Sequence, residues 1–362
     1  LGNVLEDQEK FDEAIKAYEK AILINPTYAD AYCNMGVALK EKGNLDEAIK
    51  AYEKAISINP NYADAYCNMG VALKNLYSLE KSIITFKKAI LLNSNHFIAY
   101  SNMALSLNYQ GMYFDAINAY KKSISINPDY AKAHLNLSFS LIQSGQIKEG
   151  LEEYEWRWKT KESSSRQRHF PQPLWDGQES LKDKIILLWC EQGIGDTMNW
   201  SSCLSLVTAR AKHVILECQE KLVPLLKRSL PNVEVKVEDR SKDANRDDFD
   251  LHLPMGSLYK HFIDDIIKKG NSDSYLVPDP ARVQYWKERL SSIGKGPYIG
   301  VCWKSSVKSA YRLQHYPPIL EWSPIFKIPE VTFINLQYTD YEDDLAKVQD
   351  EFGVTIHNFD DI

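Results

Sequence analysis

The sequence predicts an α-helical repeat array that stacks into a superhelix, followed by an α/β domain made of two lobes. Two observations carry this prediction. A short segment recurs every 34 residues through the first 158 positions, and from Lys184 onward short apolar runs alternate with amphipathic helical stretches. A chain of 362 residues has room for both parts.

The recurrence can be read directly from the letters. The segment Tyr32–Gly36 returns almost unchanged as Tyr66–Gly70, 34 residues later. Small residues let two helices of one unit approach closely, and Pro60 ends the second helix because proline lacks an N–H group. The small positions recur in phase at Ala14, Ala48, Ser82, Ala116 and Gly150, each followed four residues later by an aromatic side chain.

This pattern resembles the tetratricopeptide repeat, a helix-turn-helix unit of 34 residues with small residues at the helix crossing and a terminal proline. The resemblance covers residues 1–158 and implies four to five units, of which the first is incomplete. Such units leave an apolar face that only a neighbouring unit covers, so we expect them to stack into a superhelix.

One asparagine recurs in the first helix of each unit. An amide side chain offers a donor and an acceptor to the backbone of an extended peptide. The ladder resembles that of the repeat domain of O-linked N-acetylglucosamine transferases, which implies a protein or peptide partner in the concave groove. The alternative is that the amides bond neighbouring helices or only solvate the groove. The members are Asn34, Asn68, Asn102 and Asn136.

Residues 159–182 form the predicted junction, a linker and docking segment. Trp156, Trp158 and Trp175 stand at or near it. Tryptophan buries a large area, so we expect these side chains to dock the array onto the next domain. Packing within either neighbour is the alternative.

The remaining sequence is predicted to form two lobes with parallel strands. Residues 183–280 form the first lobe, and residues 281–362 form a bridging helix and the start of a second lobe, which we expect to be truncated. The predicted strands lie at 185–190, 214–218, 233–237 and 249–253 in the first lobe, and at 298–303, 332–337 and 354–357 in the second.

A glycine loop follows the first strand, in the place where open α/β sheets bind ligands. It contains Gly193, Gly195, Asp196 and Thr197. The third glycine of a dinucleotide fingerprint is missing, which argues against an NAD enzyme. Asp196 is therefore predicted either to cap the following helix or to accept a proton from an acceptor hydroxyl.

Three segments together carry a more specific resemblance: Trp156–Trp158, Pro173–Gly177 and Glu191–Thr197. They resemble bacterial proteins that join tetratricopeptide repeats to a domain related to the heptosyltransferases of glycosyltransferase family nine. The resemblance implies two Rossmann-like lobes in the GT-B arrangement and a nucleotide-diphosphate sugar as donor substrate. It also implies that Asp196 is the catalytic base and that the glycine loop faces the acceptor.

The same resemblance implies a donor-phosphate site behind the first strand of the second lobe. Hydroxyls, backbone N–H groups and cations at a strand end would neutralise a departing diphosphate. The alternative is that these are ordinary solvated loop charges. The candidate residues are Lys304, Ser305, Ser306, Lys308 and Arg312.

Composition limits the other function classes. The net charge of −6 argues against nucleic acid as a partner, and no apolar run approaches the length of a transmembrane helix. The six cysteines form no C-x-x-C pair, which argues against a zinc site and a disulfide framework, and we expect no metal. We expect no cofactor besides the donor substrate. Because the sequence shows neither a spanning run nor a signal-peptide pattern, we expect a cytoplasmic location. The rival to the enzyme is a non-catalytic scaffold whose glycosyltransferase domain is degenerate.

Overall fold

The computed structural model describes residues 2–270, 274–304 and 316–359. The chain divides into two compact units. The first contains the repeat array together with the first parallel sheet and ends at Pro278. The second begins at Asp279 and also includes Asn75–Tyr77.

Consecutive helices pack in pairs through the first part of the chain, in step with the 34-residue period. Each pair corresponds to one repeat, so the periodicity predicted the helices correctly. Their bounds are α1 Gly2–Asp7, α2 Phe11–Ile24, α3 Ala29–Glu41, α4 Leu45–Ile58, α5 Ala63–Asn75, α6 Leu79–Leu92, α7 Phe97–Tyr109, α8 Tyr113–Ile126, α9 Ala131–Gln143 and α10 Ile147–Tyr154.

Small residues sit where the two helices of a pair cross. Tyr52 is fully buried against Gly36, and a methyl group added at Gly36 would lie 2.6 Å from its ring. Gly70 stands in the same relation to Phe86, also at 2.6 Å. Aromatic rings therefore occupy the space that glycine leaves, as the sequence pattern predicted.

An asparagine forms the turn between successive repeats. At Asn59, the side-chain oxygen accepts a hydrogen bond from the N–H group of Asn61 at 3.2 Å. This short side-chain turn satisfies backbone groups at the helix end. It persists at Asn93, where Ser94 replaces the usual proline. The members of this series are Asn25, Asn59, Asn93 and Asn127.

The first sheet has four parallel strands in the order β3-β2-β1-β4. Apolar side chains from both faces of β1 are fully buried, including Ile186, Leu187 and Leu188. Strand β1 is central, with β2 on one side and β4 on the other, so the strand order reverses beside it. The bounds are β1 Ile185–Trp189, β2 His213–Cys218, β3 Glu234–Val237 and β4 Leu251–Pro254.

Short helices connect and cover these strands. The segment between β2 and β3 begins as a 3₁₀ turn and becomes α-helical only from Val223, with proline in its first turn. The helices are α11 Lys161–Ser164, α12 Ile194–Ser201, α13 Leu204–Thr208, α14 Val223–Ser229 and α15 Leu258–Lys269, with 3₁₀ segments Glu155–Lys159, Glu220–Leu222, Arg240–Asn245 and Met255–Ser257.

The second unit contains a parallel sheet in the order β5-β6-β7. Val301, Phe333 and Val348 lie in its core. The predicted strand at 298–303 ends two residues early, because the N–H group of Trp303 bonds the Gln337 side chain. The elements are α16 Pro280–Ser291, β5 Tyr298–Val301, a 3₁₀ helix Ile319–Trp322, α17 Ser323–Phe326, β6 Thr332–Asn335, α18 Glu342–Phe352 and β7 Ile356–His357.

Replacing Gly36 with alanine tests the helix crossing. The new methyl group would collide with the buried Tyr52 ring, and we expect a net loss of about 1–3 kcal/mol in unfolding free energy, although alanine favours a helix. Gly195→Ala is the matched control, since its methyl group would meet nothing within 4 Å. Urea unfolding measures the unfolding free energy of both variants. Equal losses would contradict the close approach of the two helices at Gly36.

Candidate functional site

The glycine loop lies at the carboxyl end of β1, beside the point where the strand order reverses. Open α/β sheets bind ligands at such points. Gly193 is the N-cap of α12, and its N–H group donates to Asp196 Oδ2 at 3.2 Å. The structure therefore places Asp196 in the capping role that the sequence offered as one of its two alternatives.

Neither glycine of the loop is required by the backbone. Gly193 has φ −74° and ψ 175°, which any residue adopts, and Gly195 is not among the glycines with positive φ. A methyl group at Gly195 would meet nothing within 4 Å. Gly193 therefore serves as the helix cap, and the space around Gly195 is open.

The other two predicted loop residues have different surroundings. Asp196 is exposed to solvent, whereas Thr197 is fully buried. The Thr197 hydroxyl donates to the Gly193 carbonyl at 3.1 Å and to Gln219 Oε1 at 3.3 Å. Thr197 therefore orders the loop from beneath, and Asp196 is the side chain that faces outward.

A buried ion cluster lies directly before the loop. Arg157, at the end of the repeat array, is 1% exposed and donates to Glu191 Oε1 at 3.2 Å. It also donates to Glu155 Oε1 at 2.6 Å and to the Ser257 hydroxyl at 2.8 Å. The Gly256 N–H group donates to the same Glu191 oxygen at 3.0 Å. Three separated segments of the chain, 155–157, Glu191 and 256–257, therefore meet around one guanidinium.

The Glu191 carboxyl is strongly affected by its burial. Desolvation raises its pKa to about 7, and the cation of Arg157 opposes this rise. The second carboxyl oxygen, Oε2, is buried and has no hydrogen-bond partner among the described residues. Sequence reasoning singled out the segments around Arg157 and Glu191 through the resemblance, but no spacing rule indicates that they pair.

A second chain of hydrogen bonds runs from the array to the loop. The Tyr154 hydroxyl on α10 accepts a hydrogen bond from the Gln192 side chain. The Gln192 carbonyl accepts from Gln219 Nε2 at 2.8 Å, and Gln219 in turn contacts Thr197. The last repeat and the glycine loop are thus connected at Gln192 as well as at Glu191.

The three junction tryptophans pack in different places. Trp156 stacks on His134 of the array, with 3.7 Å between ring centroids. Trp158 packs against Trp189 of strand β1 at 5.7 Å. Trp175 is buried in the core of the sheet. Trp158 and Arg157 therefore join the end of the array to the first sheet, whereas Trp156 packs within the array and Trp175 within the sheet core.

The amides of the ladder lie on the first helix of each pair. Asn34 Nδ2 donates to Asn3 at 3.2 Å, and Asn68 Nδ2 contacts the Cys33 sulfur at 3.7 Å. Asn102 Nδ2 donates to the carbonyl of Ile98, four residues earlier on its own helix. Asn34 and Asn68 therefore contact the preceding repeat, which is the alternative of bonding between neighbouring helices. All four ladder residues, including Asn136, are partly exposed.

In the second unit, Lys304 follows the end of β5. Its ammonium group donates to Asp344 Oδ2 at 2.8 Å, and the Trp303 indole donates to the same oxygen at 2.9 Å. The N–H groups of Trp303 and Lys304 both bond Gln337 Oε1. The other predicted donor-phosphate residues, Ser305, Ser306, Lys308 and Arg312, lie outside the described residues.

Within the described ranges, no group of three or more His, Cys, Asp or Glu side chains is arranged to hold a metal ion. Asp248 pairs with Arg246, and Asp250 accepts a hydrogen bond from the N–H group of Ile185.

No helix of the described chain is both long enough and apolar enough to cross a bilayer.

Comparison with protein families confirms the repeats. A TPR repeat model matches residues 2–43, 38–76 and 105–145, and a tetratricopeptide repeat model matches residues 63–96. The N-terminal region therefore carries tetratricopeptide repeats, and the predicted superhelical array is confirmed. Repeats of this kind stack into an extended concave surface.

Protein FlbA of Caulobacter vibrioides is 33% identical over 226 residues, which is 59% of this chain and 38% of FlbA. The chain thus spans less than half of that relative. Among solved structures, a crystal structure of MamA is 24% identical, covering 46% of this chain and 98% of the other, with a TM-score of 0.40. YrrB, a TPR protein with an unusual peptide-binding site, is 21% identical, covering 45% and 84%, with a TM-score of 0.37.

The pH dependence of stability tests the burial of Glu191. Its pKa in the folded state lies above the ordinary value of 4.5, so its contribution to stability is complete below about pH 4.5 and is lost as pH rises through about 7. A pKa difference of one corresponds to about 1.4 kcal/mol, so the loss in unfolding free energy is about 3 kcal/mol. Glu191→Gln should remove this part of the pH dependence.

Urea unfolding of both proteins between pH 4.5 and 8 measures the effect. The exposed Glu220 provides a matched control, because Glu220→Gln should leave the pH profile of the wild-type chain unchanged. Parallel profiles for wild type and Glu191→Gln would show that Glu191 titrates normally.

Proposed function

We propose that the repeat array captures a protein or peptide and that the glycine loop presents one of its hydroxyl groups for sugar transfer from a nucleotide-diphosphate sugar. The open loop at the strand-order reversal supports this proposal most strongly. A methyl group at Gly195 would meet nothing within 4 Å, and the one exposed carboxylate of the loop, Asp196, faces solvent.

The proposed chemistry is a single displacement. The acceptor oxygen forms a bond to the anomeric carbon of the sugar while the bond from that carbon to the diphosphate breaks. The diphosphate leaves with the electron pair, and the acceptor proton passes to Asp196. A carboxylate in this position acts as a general base when it lies within hydrogen-bond reach of the hydroxyl.

The donor side of the proposal involves the residues after β5. Lys304, Ser305, Ser306, Lys308 and Arg312 would bind the diphosphate and stabilise the charge that develops on it. Lys304 must exchange its bond to Asp344 for one to a phosphate oxygen. Because Lys304 is partly exposed, this exchange requires rotation of one side chain rather than movement of the strand.

The array contributes recruitment. Tetratricopeptide repeats present an extended surface for proteins, and this one is joined to the loop through Arg157 and Tyr154. A captured partner is therefore held at a fixed distance from the loop. We further propose a cytoplasmic location, because all six cysteines are free thiols.

A second candidate function is a non-catalytic scaffold. One observation favours it: the Lys304 ammonium is paired with Asp344, and the backbone N–H groups at the end of β5 are bonded to Gln337. These are the groups that would otherwise bind the diphosphate. In this alternative the array recruits partners and the α/β part only supports it.

A transfer assay distinguishes the two functions. The full-length protein would be incubated with UDP-, GDP- and ADP-hexoses and a cell-extract acceptor pool, and release of nucleoside diphosphate would be measured. Asp196→Asn removes the base, so we expect a loss of about 10²–10⁴-fold in turnover. Asp183→Asn, at an exposed position, is the control and should be fully active.

Unchanged turnover in Asp196→Asn would refute the role of Asp196 as base. Absence of turnover with every donor, while the array still captures proteins from the same pool, would leave the scaffold as the function.

A further inference from the structure

Lys74 stands out among the lysines of the array. It lies in the last turn of α5, is partly buried, and donates from Nζ to Asn102 Oδ1 on α7 at 3.2 Å. Among the described residues it forms no ion pair with an aspartate or a glutamate. A partly buried cation without a counter-charge is unfavourable unless something compensates for it.

The surroundings of Lys74 add positive charge. Lys40 occupies the equivalent position one repeat earlier, and Lys132 comes from α9. Burial, followed by the charges of Lys40 and Lys132, lowers the pKa of Lys74 to about 8. Both neighbours have carboxylates of their own, Glu41 for Lys40 and Glu162 for Lys132. Lys74 is the member of the three that lacks one.

The acidic side chains in the first turns of α3 and α5 lie at the opposite helix ends from Lys74. Asp64 begins the first turn of α5, ten residues before Lys74, or about 15 Å along the helix axis. It pairs with His96 at 3.1 Å. Asp30 has the same place on α3. Asp64 and Asp30 therefore do not supply a counter-charge to Lys74.

The repeat itself does not require a lysine here. The equivalent positions in the next two repeats are Asn108 and Ile142, which carry no charge. The Asn102 side chain beside Lys74 remains partly exposed, and so does Asn68 on the preceding turn of the same surface. Lys74 and the amides of Asn68 and Asn102 therefore lie on one surface, formed by the first helices of the repeats, which we call the first-helix face.

From this arrangement we infer that the first-helix face binds an acidic peptide, whose aspartate or glutamate carboxylate pairs with Lys74 while Asn68 and Asn102 bond its backbone. The inference rests on the proposed recruitment of a peptide by the array, and it names the charge of that peptide. Charge complementarity selects the ligand, since a carboxylate supplies the counter-charge that Lys74 lacks.

Three peptide libraries test this inference. Each contains 12-residue peptides with random flanks and a fixed central pair, Glu-Glu, Gln-Gln or Lys-Lys. They are passed over the immobilised chain, and bound peptides are quantified by mass spectrometry. We expect the Glu-Glu library to be retained about tenfold more than the Gln-Gln library, with the Lys-Lys library least retained. Added salt should reduce the difference.

Variants assign the preference to one residue. Lys74→Gln should abolish the preference for Glu-Glu, and Lys74→Arg should retain it. Lys88→Gln makes the same charge change at an exposed position on α6 and should behave as wild type. The thermal midpoint of Lys74→Gln should equal or exceed that of wild type, because an uncompensated cation is removed.

Two outcomes would overturn the inference in different ways. Equal retention of the Glu-Glu and Gln-Gln libraries, or an equal loss in Lys74→Gln and Lys88→Gln, would refute the acidic preference while leaving peptide recruitment intact. Retention of none of the libraries would refute recruitment of extended peptides itself.

Discussion

A single buried guanidinium connects the two functional parts of this molecule. Arg157 belongs to the end of the repeat array, yet its hydrogen bonds reach Glu191 and Ser257 of the α/β part. Its removal would leave a buried carboxylate without compensation, which is among the costliest changes in a protein interior. The position of the glycine loop relative to the last repeat depends on this contact, together with the Tyr154–Gln192 hydrogen bond and the packing of Trp158 on Trp189.

The connection gives the proposed function a physical basis. A repeat array on a free linker would only raise the local concentration of a partner near the loop. An array fixed by Arg157, Tyr154 and Trp158 holds the partner in one orientation as well. Orientation of reactants lowers the barrier of a group transfer more than proximity alone.

The sequence predicted the regular parts of the fold well, because their signals are local. The 34-residue period gave the helices of the array, and apolar runs gave the strands to within a few residues. Strand β5 ended early because a distant side chain, Gln337, bonded the next backbone N–H groups. Local pattern contains no information about such a partner.

The candidate site was predicted less completely for the same reason. The glycine loop was located from the sequence, but the burial of Thr197 beneath it depends on Gln219, which belongs to another strand end. The pairing of Arg157 with Glu191 spans 34 residues and two different kinds of structure. Lys74 was not predicted as a binding residue, because only the folded array shows that it lacks a counter-charge.

Amide hydrogen exchange tests most directly whether the array and the loop act as one body. Arg157→Met would be compared with wild type and with Arg166→Met, a control at an exposed position. We expect residues 147–159 and residues 185–197 to lose protection together in Arg157→Met, and the control to retain it. Loss confined to one of the two segments would show that the array and the loop do not act as one body.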